Sequence, residues 1–439
     1  MRFYIETYGC TSNFGNSREA AEELSRLGHT PSSPDSAEVV IINSCAVTAR
    51  TERRIRRRLC QIDGDRLVVA GCLPQAIPQS LEGIRTRGAV GVLNRSGIEE
   101  LAALLDPRRK GRIERGETSD PSPLPEGGDG VGQEPTADCR KDLCGIVNIS
   151  EGCLGRCSYC IVRKARGQLT SRCEQEIVRR IRMMVQSGTV EIQLASQDAS
   201  AYGRERRSSL PPLLDEVQGV PGSFKIRVGM MNPDTAYPII DQLVRAFQNT
   251  KIYRFIHLPL QSGSERVLQE MNRGYSPEQF LEVVSRFKEA FPDLSLTTDV
   301  IAGYPGETEE DFEATLELLR KAAPDKVNVT RYSRRPGTVA SGLYDMPDRI
   351  KKDRSRVLTR LWMDMAAKHY SRYEGKMIPV LVTERGRNGT AKARADNYLG
   401  VVIQGQPDLG SLVNVKITDT NPHYLTGIIV NEEMVSGKG

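Results

Sequence analysis

The chain has 439 residues, 27% of them charged, with a net charge of +5 and ten cysteines. No apolar run reaches membrane-spanning length and the start, Met1-Arg-Phe-Tyr-Ile-Glu-Thr7, lacks the pattern of a secretion signal, so a cytoplasmic protein of roughly two to four domains is expected. A nearly balanced charge does not demand a polyanion as partner, and many cysteines in a reducing compartment point to metal or redox chemistry rather than disulfides.

The amino-terminal part alternates strand and helix. Strands are predicted at Arg2–Thr7, Val39–Asn43 and Leu67–Ala70, with helices at Ser17–Leu27, Arg50–Asp63 and Ile98–Leu105. That order implies an α/β fold with a small, mostly parallel sheet. Cys10, Cys45 and Cys72 each follow the carboxyl end of one of these strands, the edge where open parallel sheets bind ligands. They should converge there, either as ligands of a metal cluster or as small core residues. Arg53, Arg54, Arg56, Arg57 and Arg58 form either a phosphate-facing patch or a solvated helix face. Cys60, among them, reads as structural.

Residues 107–138, rich in Pro, Gly, Asp and Glu, read as a linker between a domain at 1–106 and one at 139–373. In the second domain, strands at Cys144–Ile149, Val190–Leu194, Lys225–Val228, Arg254–Leu258, Leu294–Val300 and Lys326–Thr330 alternate with helices. Six such units make an open, partial (β/α)6 barrel, with function on the loops at the strands' carboxyl ends. The loop after the first strand carries Cys153-Leu-Gly-Arg-Cys157-Ser-Tyr-Cys160. Three thiolates this close point to an iron–sulfur cluster or to zinc; a structural zinc usually takes a fourth protein ligand, and none is obvious nearby. A four-iron cluster on three cysteines instead leaves one iron open to a small molecule. Cys139, Cys144 and Cys173 are assigned no catalytic role.

Further along, Ser196-Gln197-Asp198 ends the second strand with polar groups. His257-Leu-Pro-Leu-Gln261-Ser-Gly-Ser264 ends the fourth, and Asp299-Val-Ile-Ala-Gly303-Tyr-Pro-Gly306-Glu307-Thr308 the fifth. Gly303 and Gly306 allow close backbone approach to a planar ligand, or simply a tight strand-to-helix turn. Thr308-Glu-Glu-Asp311 is a capping box. His257 is given no proton-transfer role. After a charged helix at 348–373, short strands at Ile378–Thr383, Thr390–Ala395, Gly400–Ile403, Leu412–Ile417 and Leu425–Val430 imply a small antiparallel β-barrel within 374–436. Arg385, Arg387, Lys392 and Arg394 form a basic strip there, with Tyr398 as a stacking surface.

The Cys153–Cys160 spacing, with Tyr159 before the last cysteine, resembles the radical S-adenosylmethionine (SAM) superfamily. Tyr8-Gly-Cys10-Thr-Ser-Asn13, Asn43-Ser-Cys45-Ala-Val-Thr48 and Gly71-Cys72-Leu-Pro-Gln75 resemble the amino-terminal domain of the radical-SAM methylthiotransferases. Tyr332-Ser-Arg-Arg-Pro-Gly-Thr338 is similar to another word of that family. Asn397-Tyr-Leu-Gly-Val-Val-Ile403 and His423-Tyr-Leu-Thr-Gly427 resemble a TRAM domain, an RNA-binding module. The resemblance covers all but the linker. The opening Tyr-Gly-Cys-Thr-Ser-Asn and Val228-Gly-Met-Met-Asn-Pro233 resemble the archaeal and eukaryotic branch, which acts on N6-threonylcarbamoyladenosine. No counterpart of the eukaryotic members' carboxyl-terminal membrane anchor is read here, which favours an archaeal-like form.

The resemblance implies two [4Fe–4S] clusters. One, on Cys153, Cys157 and Cys160, would bind SAM at its open iron and reduce it to a 5′-deoxyadenosyl radical. The other, on Cys10, Cys45 and Cys72, would present sulfur for insertion. It further implies a SAM-binding wall of Tyr159, Ser196, Gln261, Asp299, Gly303, Gly306 and Glu307, with no side chain acting as acid or base. The expected reaction is methylthiolation of carbon 2 of N6-threonylcarbamoyladenosine at position 37 of tRNA. Expected partners are the tRNA anticodon stem-loop, an electron donor and a sulfur source, and no membrane. Two alternatives stay open: an enzyme methylthiolating an aspartate of a ribosomal protein, and a non-catalytic iron–sulfur RNA-binding regulator.

Overall fold

A computed structural model describes residues 1–106 and 143–430. The expected linker, Cys139 and the end of the expected terminal domain lie outside the described residues. The chain divides into two compact units, one built on the amino-terminal sheet and one holding the chain from Leu143 onward.

Strands β1 (Arg2–Thr7), β2 (Thr30–Pro31), β3 (Val39–Ser44), β4 (Leu67–Gly71) and β5 (Gly88–Ala89) form one sheet in the order β2-β1-β3-β4-β5. Every pairing is parallel. All six residues of β3, Val-Val-Ile-Ile-Asn-Ser, are buried, as a central strand covered on both faces must be. Helices α1 (Thr11–Arg26), α2 (Ala49–Leu59), α3 (Cys72–Ala76) and α4 (Arg95–Leu105) supply the connections. Phe3, Leu24, Ile41, Val68, Leu93 and Leu101 meet in the core, each contributing about 1.5–3 kcal/mol by leaving water.

Helix α1 begins at Thr11, six residues before the predicted start. Its first turns bury Ser12, Asn13, Asn16 and Ser17, so they lack the apolar periodicity by which a helix is read. The short β2, α3 and β5 left too little pattern to be predicted.

The second unit holds β6 (Cys144–Asn148), the hairpin strands β7 (Ser150–Glu151) and β8 (Thr170–Ser171), β9 (Glu191–Ala195), β10 (Lys225–Val228), β11 (Phe255–His257), β12 (Ser295–Ala302) and β13 (Lys326–Arg331). The six βα strands make two three-stranded parallel arcs, β10-β9-β6 and β11-β12-β13. Among the described residues only single parallel bridges, Ile226 to Ile252 just before β11 and Met230 to His257, join the arcs. The partial barrel is thus thinned at its middle, where β11 is three residues long and Pro259, without an N–H, closely follows it.

Helix Asp348–Ser371 leads to β14 (Met377–Arg385), β15 (Thr390–Ala395), β16 (Gly400–Gln404), β17 (Leu412–Asn421) and β18 (Tyr424–Ile429), which close into a barrel in the order β14-β15-β16-β18-β17. Its pairs are antiparallel except β16 with β18, which run parallel. Alternate residues Val380, Val382, Ala391, Ala393, Val401 and Ile403 fill it, with Tyr370 and Tyr373 joining from the preceding helix and the turn after it. No helix among the described residues is long and apolar enough to cross a membrane.

Candidate active site

In the second unit the Cys153–Cys160 loop leaves the β6–β7 end of the barrel, at the strands' carboxyl edge. Each sulfur has a positioned donor. The Gly155 N–H donates to Cys153 Sγ at 3.2 Å, the Val162 N–H to Cys160 Sγ at 3.4 Å, and Arg273 Nη1 to Cys157 Sγ at 3.3 Å. A Cβ on Gly155 would lie 3.3 Å from Cys153 Sγ and 3.6 Å from Cys157 Sγ. Glycine therefore keeps the space between two sulfurs open.

Burial pushes the Cys153 thiol up to about 11. Burial, with the neighbouring Cys157, pushes Cys160 up to about 12. Thiolates here call for a compensating cation, which iron supplies on binding. Among the described residues no three His, Cys, Asp or Glu side chains converge tightly enough on one metal ion. In an iron–sulfur cluster each thiolate takes its own iron, and the open side of Gly155, between Cys153 Sγ and Cys157 Sγ, is compatible with that arrangement.

Arg273 ties this loop to the strand ends. It lies over the Tyr275 ring at 5.0 Å and hydrogen-bonds Asn232 Oδ1. The Asn232 N–H and Nδ2 donate to the buried Asp198 carboxylate at 3.0 and 3.2 Å, and Ser200 and Thr235 hydroxyls donate to the same carboxylate. Two buried hydroxyls on adjacent strand ends, Ser150 Oγ and Ser196 Oγ, have no hydrogen-bond partner among the described residues. Such orphans are costly unless a ligand or water satisfies them, so the Ser196 edge fits a polar ligand.

The rest of the expected SAM wall is mixed. Gln261 has φ +65°, a conformation costing a non-glycine residue about 1–3 kcal/mol and concentrated at functional sites. Its N–H donates to the Asp299 carbonyl at 2.8 Å. Asp299 lies within β12, its carboxylate taken by His257 Nε2 at 3.0 Å and Asn328 Nδ2 at 2.7 Å. Burial opposes its ionisation, but these partners hold its carboxyl below the usual range. Tyr159 packs edge-on to Tyr304 at 6.5 Å, in the apolar cluster of Tyr304, Tyr332 and Met271.

Gly303 and Glu307 have partners within the protein. A Cβ on Gly303, at φ +74°, would lie 2.4 Å from Lys351 Cγ, and its N–H donates to Glu307 Oε2 at 2.9 Å. Glu307 is buried against Arg354, 2.5 Å from Nη1. Both residues pack against helix Asp348–Ser371. Gly306, at φ +81°, meets only Glu270 Oε2 at 3.7 Å.

In the first unit the three cysteines follow β1, β3 and β4 at one sheet edge. Cys10 caps α1 and is exposed; Cys45 and Cys72 are 8% and 6% exposed. Asn13 stitches the loops together. Its Nδ2 donates to the carbonyls of Tyr8 at 2.6 Å and Ser44 at 3.1 Å, and its Oδ1 lies 4.0 Å from both Cys10 Sγ and Cys72 Sγ. A Cβ on Gly9 would be 3.3 Å from Cys45 Sγ. Gly71, at φ +96°, cannot be replaced without meeting Asn43 Oδ1 at 2.4 Å, so glycine must precede Cys72. Convergence of the three thiols is what a cluster site requires.

Residues 2–90 match the Uncharacterized protein family UPF0004, residues 147–319 the Radical SAM superfamily and residues 371–430 the TRAM domain. A solved structure of the radical SAM methyltransferase TsrM from Kitasatospora setae superposes with TM-score 0.53 at 13% identity. The match covers 89% of this chain and 80% of that one, and supports the fold alone. A probable threonylcarbamoyladenosine tRNA methylthiotransferase of Archaeoglobus fulgidus is 40% identical across 99% of this chain and 100% of its own length. The chain belongs to the threonylcarbamoyladenosine tRNA methylthiotransferase family. A Danio rerio member is 33% identical over 97% of this chain and 78% of its own length. As a family member with a radical SAM domain, the chain is an enzyme that uses SAM and iron–sulfur chemistry.

Within this family fold, the basic strip of the TRAM barrel divides. Arg385, Arg387 and Lys392 are exposed, Arg385 donating to the Pro407 carbonyl at 2.8 Å and Lys392 paired with Glu384 at 2.8 Å. Arg394 and Tyr398 are not a free surface. The Tyr398 ring lies 4.9 Å from Tyr253 and 5.0 Å from Phe255, with the Arg227 and Arg394 guanidiniums over it. Strand β15 points Lys392 and Arg394 to the same side, but the central barrel covers the Arg394 end through Glu191 and Tyr253. Tyr398 is therefore corrected from a stacking surface to a packing residue between barrel and core. Of the other cysteines, Cys144 donates to Glu191 Oε1 and Cys173 to Gln175 Oε1, while Cys60 is exposed.

Proposed function

We propose that this chain installs a methylthio group on carbon 2 of N6-threonylcarbamoyladenosine at position 37 of tRNA, using two [4Fe–4S] clusters. The observation that carries the reading is a pair of converging cysteine triads in a chain whose full-length relatives bear that name. The target C–H bond is unactivated, and the bound clusters with SAM would supply the radical and sulfur chemistry that side-chain acids and bases lack.

The protein's part is placement. Cys153, Cys157 and Cys160 would hold one cluster, with Arg273 set against Cys157. The Ser196 edge of β9 and the strained Gln261 turn are the better candidates to receive SAM, alongside Asp299, Tyr159 and Gly306. Cys10, Cys45 and Cys72 would hold the second cluster, their loops fixed by Asn13. Arg385, Arg387 and Lys392 would meet phosphates of the anticodon stem-loop, whose unpaired base suits recognition by edge and stacking contacts. Electrons and replacement sulfur must come from donors outside the chain. No observation favours the ribosomal-protein or regulatory alternatives.

Anaerobically reconstituted protein should hold about eight irons, as two four-iron clusters require. Replacing Cys153, Cys157 and Cys160 by Ala abolishes formation of 5′-deoxyadenosine from SAM. Replacing Cys10, Cys45 and Cys72 leaves it largely intact and stops sulfur transfer. Equal loss of both activities in the two folded triple variants would overturn the division of labour.

A further inference from the structure

Helix α2 places Arg53 and Arg57 on the side opposite its buried residues Ile55 and Leu59, with Arg54 and Arg58 on its flank, since residues three and four apart share a helix face. Arg53, Arg54 and Arg57 are exposed. Neither Arg53 nor Arg57 has an ion-pair partner among the described residues, and Glu52 is the helix's one acid. Like charges at (i, i+4), as in Arg53 with Arg57 and Arg54 with Arg58, destabilise a helix by a few tenths of a kcal/mol per pair. A helix needing only solubility does better with mixed signs. Five arginines in six residues of one short helix therefore call for an anionic partner.

Two contacts fix where that partner would lie. The Arg54 guanidinium sits 5.3 Å from the Tyr8 ring centroid, and Arg58 Nε donates to Glu6 Oε2 at 2.9 Å. Glu6 and Tyr8 belong to the β1 end that runs through Gly9 into Cys10, so the Arg54–Arg58 flank of the helix is anchored next to the strand end that leads into the exposed member of the cysteine triad. Phe14 borders the same loop. Its N–H donates to the Cys10 carbonyl at 3.3 Å, and it stands 46% exposed among buried polar neighbours. Guanidiniums match phosphate oxygens in a planar, two-pronged way, and an exposed aromatic bordering the Cys10 loop offers a base a stacking surface.

We propose that this face, Arg53 and Arg57 with Phe14, is a second RNA-docking surface. It would hold backbone phosphates and one unpaired base of the substrate RNA beside the Cys10–Cys45–Cys72 edge. The proposal rests on the tRNA reading above and adds the place where RNA meets the first unit.

The test measures binding of an anticodon stem-loop RNA carrying N6-threonylcarbamoyladenosine to reconstituted full-length protein between about 50 and 200 mM salt. Arg53→Ala with Arg57→Ala should weaken binding about tenfold at low salt and make the log–log salt slope shallower by about one to two. Phe14→Ala should weaken binding about tenfold with the slope unchanged. Arg53→Lys with Arg57→Lys should restore the slope, which a merely structural role would not predict. All variants leave Tyr8, Glu6 and the cysteines in place, and unchanged iron content reports an intact fold. Wild-type affinity and slope in the double Ala variant would overturn the proposal while the tRNA reading stands. Absence of salt-dependent RNA binding in the wild-type protein would overturn both.

Discussion

Arg273 shows how a single half-buried side chain can govern a site that the cysteines only outline. Its guanidinium donates to Cys157 Sγ, stacks over Tyr275 and reaches Asn232, which in turn holds Asp198. Hydrogen bonds and positive charge at a ligating sulfur stabilise the reduced, more negative state of an iron–sulfur cluster. Arg273→Met should therefore shift the midpoint potential of the cluster on Cys153, Cys157 and Cys160 to more negative values, measured by reductive titration followed by electron paramagnetic resonance. An unchanged potential would reduce Arg273 to a packing role. The cysteines were legible in the sequence because packing alone rarely produces three thiols at short fixed spacing, or three placed at successive strand ends. Arg273, Asn13 and Asp198 were not, because their roles depend on contacts made across distant strands. Tyr398 escapes such a reading for the complementary reason: an aromatic in a turn between barrel strands looks the same in sequence whether solvent or Tyr253 lies against it.

At the scale of elements, the loop from Gly303 to Thr308 is a joint between the partial barrel and helix Asp348–Ser371. Glu307 pairs with Arg354, Gly303 lies under Lys351, and the next helix starts on a complete capping box of Thr308 and Asp311. The capping box was readable because it is local; the packing of helix Asp348–Ser371 was not. Burial opposes ionisation of Asp311, but hydrogen bonds from Arg266, Ser264 and Thr308 outweigh it and hold its carboxyl well below the usual carboxylate range. A depressed folded-state value means stability that is present above the unfolded value near 4 and lost as pH falls through the folded one. Asp311→Asn should cost about 1.5–3 kcal/mol at neutral pH, the loss expected for hydrogen bonds to a charged group. Denaturant unfolding should show the gap to wild type shrinking below about pH 4. A gap independent of pH would mean that the Asp311 charge does not brace this joint. The strands were predicted well for their apolar runs, whereas α1 was shortened because buried polar side chains replace its apolar stripe.

Taken whole, the chain assigns separate tasks to separate folds: a parallel sheet with one cysteine triad, a partial barrel with another, and a small closed barrel joined to the partial barrel through Tyr398, Asp396 and Lys225. That order was legible because each fold has its own periodicity and its own short words. The break between the two three-stranded arcs was not, since hydrophobic pattern marks strands but not how firmly neighbours pair. All three folds are read as serving one reaction on one modified adenosine. The most direct test is mass spectrometry of nucleosides from tRNA incubated with the reconstituted protein, SAM, a reductant and a sulfide source. Carbamoylthreonyl tRNA should yield 2-methylthio-N6-threonylcarbamoyladenosine, and tRNA with unmodified or isopentenyl adenosine should yield no methylthio product. A methylthio group on a ribosomal protein, with none on carbamoylthreonyl tRNA, would contradict this reading.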